Sequence, residues 1–171
     1  LPISLSEQQF MERLAGLRLL SLDTDGVLTD GGLYYTDDGD ELRKFNVKDG
    51  MGIKRAQKAG VKIAIITASL TPSIAHRGQR LGVDYVQLEC ENKLASLVEI
   101  CDSLGIDLDQ VGHVGDDLND LPVLEAVGCP MSVADATVEA ISAAVYVTKK
   151  KGGEGAVREI CDLIVTAKNA V

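Results

Sequence analysis

Short apolar runs recur along the chain, separated by longer segments in which apolar positions follow a helical period. The clearest run is Leu19-Leu20-Ser21-Leu22, and a longer one at residues 61–66 follows Gly60. Runs that are apolar at nearly every position are typical of parallel strands buried on both faces of a sheet. The pattern predicts six strands, at residues 19–22, 61–66, 84–86, 111–114, 128–133 and 144–147.

The segments between these runs predict helices. In residues 92–104 the apolar side chains fall on one stripe, as in a helix with one face on a core. Thr71 and Pro72 have the composition of a helix cap and a first helical residue. The pattern predicts helices at residues 49–58, 71–81, 92–104, 118–127 and 157–167. Strands that alternate with helices predict a Rossmann-like α/β fold with a doubly wound parallel sheet.

Residues 33–45 interrupt this alternation. Two short stretches with strand-forming side chains flank Asp38-Gly39, a pair typical of tight hairpin turns. The segment predicts a β-hairpin inserted directly after the first strand, where an ordinary βα unit would enter its helix. A hairpin at this place is expected to be a lid, an oligomer contact or both.

The length and charge of the chain narrow the class of protein. Its 171 residues predict one domain over 1–171, of which 149–171 form a C-terminal tail and helix. The net charge is −9 and aromatic residues make up only 4%. Neither a basic face nor a stacking platform is expected, so nucleic acid is an unsuitable partner.

Cysteine spacing and hydropathy bear on the compartment. The four cysteines form no C-x-x-C pair, which favours reduced thiols in a cytoplasmic protein. Apolar runs stay far below the roughly 20 residues of a membrane span, so no membrane is expected as a partner. Charged residues interrupt the amphipathic segment 1–20, and we expect no signal peptide there.

Two acidic clusters follow predicted strands. Asp23 and Asp25 come directly after the first strand, and Asp116 follows the fourth. Ligands of open α/β sheets bind beyond the carboxyl ends of the strands. Three carboxylates that converge there suit Mg²⁺, which prefers hard oxygen ligands and keeps open positions for water and phosphate. Taken alone, either cluster could equally be a solvated acidic turn or a helix cap.

Two further side chains suit an anionic ligand. Thr67 ends the second long strand, where its hydroxyl and the next backbone N–H groups could hold a phosphate oxygen. Lys93 stands at a predicted helix start, the end at which a lysine is unfavourable without an anion. The plainer alternatives are a cap for Thr67 and a surface position for Lys93.

In this order, these residues resemble the haloacid dehalogenase superfamily of phosphotransferases. The resemblance rests on Asp23-Thr24-Asp25-Gly26-Val27, Thr67, Lys93 and the segment 115–120, Gly-Asp-Asp-Leu-Asn-Asp. The segments 25–31, 45–53 and 152–159 are similar to the 3-deoxy-D-manno-octulosonate (KDO) 8-phosphate phosphatase subfamily, which also includes phosphatases of nonulosonate 9-phosphates. The resemblance implies no separate cap domain, and homotetramers in which the hairpins pack together and a neighbouring subunit covers each active site.

The resemblance also implies the chemistry, hydrolysis of a sugar-acid phosphate through an aspartyl-phosphate intermediate. Asp23 would be the nucleophile and Asp25 the acid and base, with Mg²⁺ held by Asp23, Asp116 and the backbone carbonyl of Asp25. The remaining roles implied are phosphoryl neutralisation by Thr67 and Lys93, positioning of the metal site and of Lys93 by Asp117 and Asp120, and substrate contacts from Ala68, Asn46, Asp49 and Arg77.

Two positions depart from the subfamily pattern. The usual Thr-Gly-Arg is here Thr67-Ala68-Ser69, and Glu154 stands where a basic residue is usual. The loss of an arginine removes a bidentate partner for carboxylate or phosphate. The identity of the sugar is therefore open between an octulosonate 8-phosphate and a nonulosonate 9-phosphate. A broad sugar-phosphate phosphatase and a non-catalytic tetramerisation module of the same fold remain alternatives.

Overall fold

The computed structural model describes residues 5–170. Residues 1–4, the start of the amphipathic segment, and residue 171, the last of the predicted domain, lie outside the described residues. The strands are β1 Leu19–Leu22, β2 Tyr34–Tyr35, β3 Glu41–Leu42, β4 Lys62–Ile66, β5 Tyr85–Gln87, β6 Val111–Val114, β7 Cys129–Ser132 and β8 Tyr146–Val147. The helices are α1 Glu7–Gly16, α2 Val47–Lys58, α3 Pro72–Leu81, α4 Lys93–Leu104, α5 Leu121–Leu124, α6 Val138–Ala143 and α7 Ala156–Asn169.

Six strands form one parallel sheet in the order β5-β4-β1-β6-β7-β8, with β1 near its centre. The register aligns Leu22 of β1 with Ile65 of β4 and with Val114 of β6. Since the strands are parallel, the residues that follow β1, β4 and β6 emerge at the same edge. This arrangement confirms the predicted doubly wound α/β fold.

Both faces of the sheet are covered, which accounts for the continuous apolar runs. All four residues of β1 and of β6 are buried. On one face Leu20, Leu22 and Ile63 join the core that α1, α2 and α7 cover. On the other, Leu19 and Ala64 pack with the core beneath α4 and α5. Among residues 5–170, no second domain caps the sheet edge, and no helix is long and apolar enough to cross a membrane.

The predicted hairpin is present but shorter than 33–45. Tyr34 pairs with Leu42 and Tyr35 with Glu41, and strand structure ends there. Pairing stops at Leu42 because the next residue, Arg43, turns its side chain into the space beyond β1. The expected strands at 19–22 and 111–114 coincide with β1 and β6, and the other four differ from the observed ones by one or two residues at their ends.

One local expectation was wrong. Residues 118–127 do not form one helix: a 3₁₀ turn, Leu118–Asp120, precedes the short α5. The Asp120 carboxylate accepts the N–H groups of Asp116 and Asp117, which tightens the chain into that turn. At α3, Thr71 stands at the cap position, but its hydroxyl makes no capping bond. That hydroxyl instead bonds Arg43 and Glu41.

Candidate active site

Carboxylates meet at the edge of the sheet where β1 and β6 end. The N–H of Asp23 donates to the carbonyl of Val114 at 3.0 Å, which continues the β1–β6 pairing one residue past the strand. Asp23, Asp116 and Asp120 each place an oxygen within 4.8 Å of the others. The structure thus brings Asp23 and Asp116 together, as convergence of the two acidic clusters requires.

Lys93 reaches into this cluster from the start of α4. Asn92 caps the helix by accepting the N–H of Ala95 at 3.0 Å. The Lys93 ammonium lies 2.8 Å from Asp23 and 2.7 Å from Asp120, and the residue is only 3% exposed. Burial alone would lower the pKa of Lys93, but the two carboxylates outweigh it and raise the pKa. Lys93 is therefore a fixed, buried cation beside Asp23.

Asp120 is fully buried and fully hydrogen-bonded. Its Oδ1 accepts from Lys93 Nζ and lies 3.3 Å from His113 Nε2, and its Oδ2 accepts the N–H groups of Asp116 and Asp117. An ionised carboxylate offers about four lone-pair sites, and these bonds use them all. Burial would raise the pKa of Asp120, but His113 and Lys93 hold it below its usual range. Although Asp120 lies close enough to bind a metal, it would have to give up a hydrogen bond to do so, and its geometry suits positioning of Lys93.

The pKa values of Asp23 and Asp116 are shifted in the opposite direction to that of Asp120. Burial is the main cause that raises the pKa of Asp23 to about 6 and of Asp116 to about 8, and neighbouring carboxylates add to it. A Cβ at Gly26 would collide with the Asp116 carboxylate, so the glycine leaves room for that group. Two crowded carboxylates of raised pKa are stabilised by a small hard cation. These residues therefore fit a divalent metal such as Mg²⁺.

Thr67 and Ala68 follow β4 at the edge of the sheet where the acidic cluster lies. Thr67 follows β4 directly and is buried, and its hydroxyl accepts the N–H of Ser69 at 3.2 Å. Ala68 lines a cleft of about 860 Å³ between the hairpin and the start of α3, which Asp25 also lines. Contact of these two residues with an anion stays a prediction.

Asp25 is held by a residue that the sequence analysis did not single out. The guanidinium of Arg43 donates from Nε to Asp25 Oδ1 at 2.6 Å and from Nη2 to Oδ2 at 3.0 Å. Arg43 is 18 positions away in the chain. Only the folding of the hairpin over β1 reveals the pairing, and no local pattern could have found it.

His113 is the second such residue. Its ring is buried in β6, with Nδ1 3.1 Å from the Ser21 hydroxyl and Nε2 facing Asp120. The sequence offered only a histidine without ligand spacing. Its position in β6, just before the acidic turn that contains Asp120, is a signal too weak to use alone.

Asn46, Asp49 and Arg77, the remaining predicted residues, bond to groups outside the acidic cluster. Asn46 caps α2, and its amide donates to the carbonyl of Gly153 at 3.0 Å. Asp49 is 1% exposed, and its Oδ1 accepts the N–H of Arg158. Arg77 donates to the Asn46 carbonyl and lies over the ring of Phe45. These bonds hold α2, α3 and α7 together, and substrate contact from these three side chains stays a prediction.

Asp117 and Glu154 both face solvent. Asp117 accepts the N–H of Leu118 at 2.7 Å and caps the 3₁₀ turn. It makes no bond to Lys93, so of the two carboxylates expected to position that lysine only Asp120 contacts it. Glu154 is exposed on the turn before α7, where its N–H donates to the Lys151 carbonyl.

Comparison with known proteins places this geometry in a family. The model of the haloacid dehalogenase-like hydrolase family matches residues 89–160. A 3-deoxy-D-manno-octulosonate 8-phosphate phosphatase of Escherichia coli (strain B / BL21-DE3) is 43% identical over 158 residues, which cover 92% of this chain and 84% of the relative. The chain belongs to the KDO 8-phosphate phosphatase family of haloacid dehalogenase-like hydrolases.

Solved structures of this family share the fold along nearly the whole chain. The KDO 8-phosphate phosphatase of Moraxella catarrhalis, in complex with magnesium ion, phosphate ion and KDO, superimposes with a TM-score of 0.93 at 34% identity. That match covers 96% of this chain and 94% of the other. The enzyme from Yersinia pestis gives a TM-score of 0.92 at 40% identity, with 94% and 87% covered.

Proposed function

We propose that the protein is a Mg²⁺-dependent phosphatase that hydrolyses 3-deoxy-D-manno-octulosonate 8-phosphate. The observation that carries the proposal is the buried Lys93 ammonium, 2.8 Å from Asp23, beside a pair of crowded carboxylates at the sheet edge. Family membership, with 43% identity to a phosphatase of that name, supports the substrate. A non-catalytic module would have no need to keep a buried cation paired with the Asp23 carboxylate.

Asp23 would attack the phosphorus atom while the bond from phosphorus to the sugar oxygen breaks. Asp25 would give its proton to the leaving sugar oxygen, and would then take a proton from the water that cleaves the aspartyl phosphate. Phosphate leaves, and Asp23 returns to a carboxylate. Lys93 and Thr67 would hold the phosphoryl oxygens, where stabilisation of charge is most of the catalytic task.

The metal would be held by Asp23, Asp116 and the backbone carbonyl of Asp25, and when bound it supplies positive charge to the transferring phosphoryl group. Asp120 would keep Lys93 directed at Asp23, since its own oxygens are already occupied. Ala68 would line the phosphate site. Asn46, Asp49 and Arg77 would border the sugar, with Asp117 supporting the acidic turn.

The decisive experiment measures phosphate release from KDO 8-phosphate, from a nonulosonate 9-phosphate and from simple sugar phosphates, with and without Mg²⁺. We expect selective, Mg²⁺-dependent hydrolysis of KDO 8-phosphate. Asp23→Asn should abolish it, because the amide cannot form the acyl phosphate. Equal rates on all the esters would reject the substrate, and full activity of Asp23→Asn would reject the mechanism.

We propose in addition that the protein is a cytoplasmic homotetramer in which the hairpins meet. The support is the hairpin surface, on which Leu33, Tyr34, Tyr35 and Leu42 are exposed. Apolar side chains gathered on one small element mark an interaction surface. Four free thiols suit a reducing compartment. Sedimentation at micromolar concentration should show a tetramer, and a monomer would reject the assembly.

A further inference from the structure

Arg43 links the hairpin to the edge of the sheet that carries the candidate active site. Its side chain is 4% exposed and forms a two-bond contact with Asp25, whose own side chain is 36% exposed. Parallel N–H bonds from a planar guanidinium to both carboxylate oxygens fix the orientation of a carboxylate as well as its position. The hairpin thus determines where the Asp25 carboxylate points.

The other donors of Arg43 are also used. Nη1 donates to the Glu41 carboxylate and to the Thr71 hydroxyl at 2.6 Å, and Nη2 donates to Ser69 Oγ at 3.0 Å. With the two bonds to Asp25, every N–H of the guanidinium has an acceptor. The Thr71 hydroxyl donates in turn to Glu41, which closes the network. Arg43 has no donor left for a substrate, so its effect must pass through Asp25.

The network explains the departure at Ser69. A small neutral hydroxyl accepts from Arg43 here, whereas a second guanidinium at position 69 would place like charges side by side. Arg43 joins the loop after β1, through Asp25, to the segment after β4, through Ser69 and Thr71. Two parts of the cleft wall are thereby held by one side chain from the hairpin.

We propose that Arg43 is a positioning residue for Asp25, so that the hairpin, rather than the sheet, directs the acid–base group at the leaving oxygen. The inference rests on the proposed function and deepens it. The two bonds leave each Asp25 oxygen a further lone pair, which is free to face the substrate. Sugar oxygens are poor leaving groups and need the proton that Asp25 supplies. Hydrolysis of such esters is therefore the reaction that depends on Arg43.

The test compares two esters by kcat/KM, which covers the steps up to transfer of the phosphoryl group. KDO 8-phosphate needs a proton on its leaving oxygen, whereas p-nitrophenyl phosphate releases a stable phenolate without one. In Arg43→Met, kcat/KM should fall about 100-fold for the sugar ester. It should change little for the aryl ester. Arg43→Lys keeps a single-point contact, so its loss should be smaller but still confined to the sugar ester.

Lys44→Met is the matched control, because Lys44 is the next residue, its side chain is 58% exposed, and among residues 5–170 it pairs with Asp30 alone. It should leave both values unchanged. Equal losses on both esters in Arg43→Met, or no loss on the sugar ester, would overturn the positioning role. Selective loss on a different sugar phosphate, with none of the KDO ester cleaved, would reject the proposed substrate and keep the role. Hydrolysis of the aryl ester alone by the parent would overturn both.

Discussion

Asp120 organises the site by its hydrogen bonds. Each of its oxygens faces two donors, and these come from Lys93, His113 and the backbone of the acidic turn. A buried carboxylate is costly unless its lone pairs and its charge are matched. The lone pairs of Asp120 are all occupied and its charge is balanced by Lys93. The same ion pair fixes Lys93 beside Asp23.

We predict that Asp120→Asn will lower the free energy of unfolding by about 3 kcal/mol, because a buried charge pair is broken and amide hydrogens replace an acceptor. Phosphatase activity should fall as Lys93 loses its partner. Asp117→Asn is the control: this cap is exposed, and asparagine caps as well as aspartate, so the change should stay within about 0.5 kcal/mol. Urea unfolding measures both, and equal shifts would contradict the assignment.

Candidate site residues next to predicted strand ends could be found from the sequence, whereas residues that contact them from distant parts of the chain could not. Asp23 and Asp116 follow runs whose bounds the pattern gave correctly, at 19–22 and 111–114. In the sequence Arg43 is an ordinary cation of the predicted hairpin, and only the folded structure pairs it with Asp25. Its role depends on a tertiary contact, which periodicity does not encode.

At the scale of elements, the turn before α7 supports the loop after β1. The N–H of Gly153 donates to the Val27 carbonyl at 3.0 Å, and Gly153 has a φ of +68°. A Cβ there would collide with the backbone of Thr29 and Asp30. The glycine is required both by its conformation and by the close approach of the two loops.

We predict that Gly153→Ala will cost about 2–3 kcal/mol and reduce activity, because it adds a clash to the strain of a left-handed residue. Gly105→Ala is the matched control, with a φ of +62° and open space around its Cβ position. It should cost only about 1 kcal/mol, from strain alone. Chemical denaturation separates the two. Equal costs would show that the loop contact contributes nothing.

The errors of element prediction have local causes too. Residues 118–127 carry a helical pattern, but the buried Asp120 carboxylate bonds to the backbone of Asp116 and Asp117, and a 3₁₀ turn forms in place of the first part of the helix. The strand expected at 144–147 keeps only Tyr146–Val147, at the edge of the sheet where β7 alone pairs with it. Central strands were predicted well because burial on both faces leaves an unmistakable apolar run.

At the scale of the whole molecule, the net charge is −9, and three of the acidic side chains, Asp23, Asp116 and Asp120, meet where the sheet ends. Burial and neighbouring carboxylates raise the pKa of Asp116 to about 8 and of Asp23 to about 6. Both shifts go upwards from the ordinary value of 3.8, so the folded, metal-free chain holds protons that the unfolded chain has released.

We therefore predict that the metal-free protein loses stability as pH rises from the ordinary carboxyl pKa of 3.8 to about 8, the raised pKa of Asp116. Mg²⁺ should raise the Tm more near pH 8 than near pH 6, because it competes with protons for the same oxygens. At about a hundred times its Kd it should add about 2.7 kcal/mol. Thermal unfolding with and without Mg²⁺ measures this. A gain that does not change with pH, or is kept in Asp116→Asn, would contradict it.

The strand order has a consequence for the synthesis of the protein on the ribosome. β1 leads into Asp23, the proposed nucleophile, but is flanked by β4 and β6, which come much later in the chain. A ribosome adds about 5–20 residues per second, so Asp23 waits roughly 5–20 seconds for β6. The turn that supports its loop is made later still. An unfinished chain therefore has the proposed nucleophile without the rest of the site, and sugar phosphates in the cell meet the enzyme only after most of it has been translated.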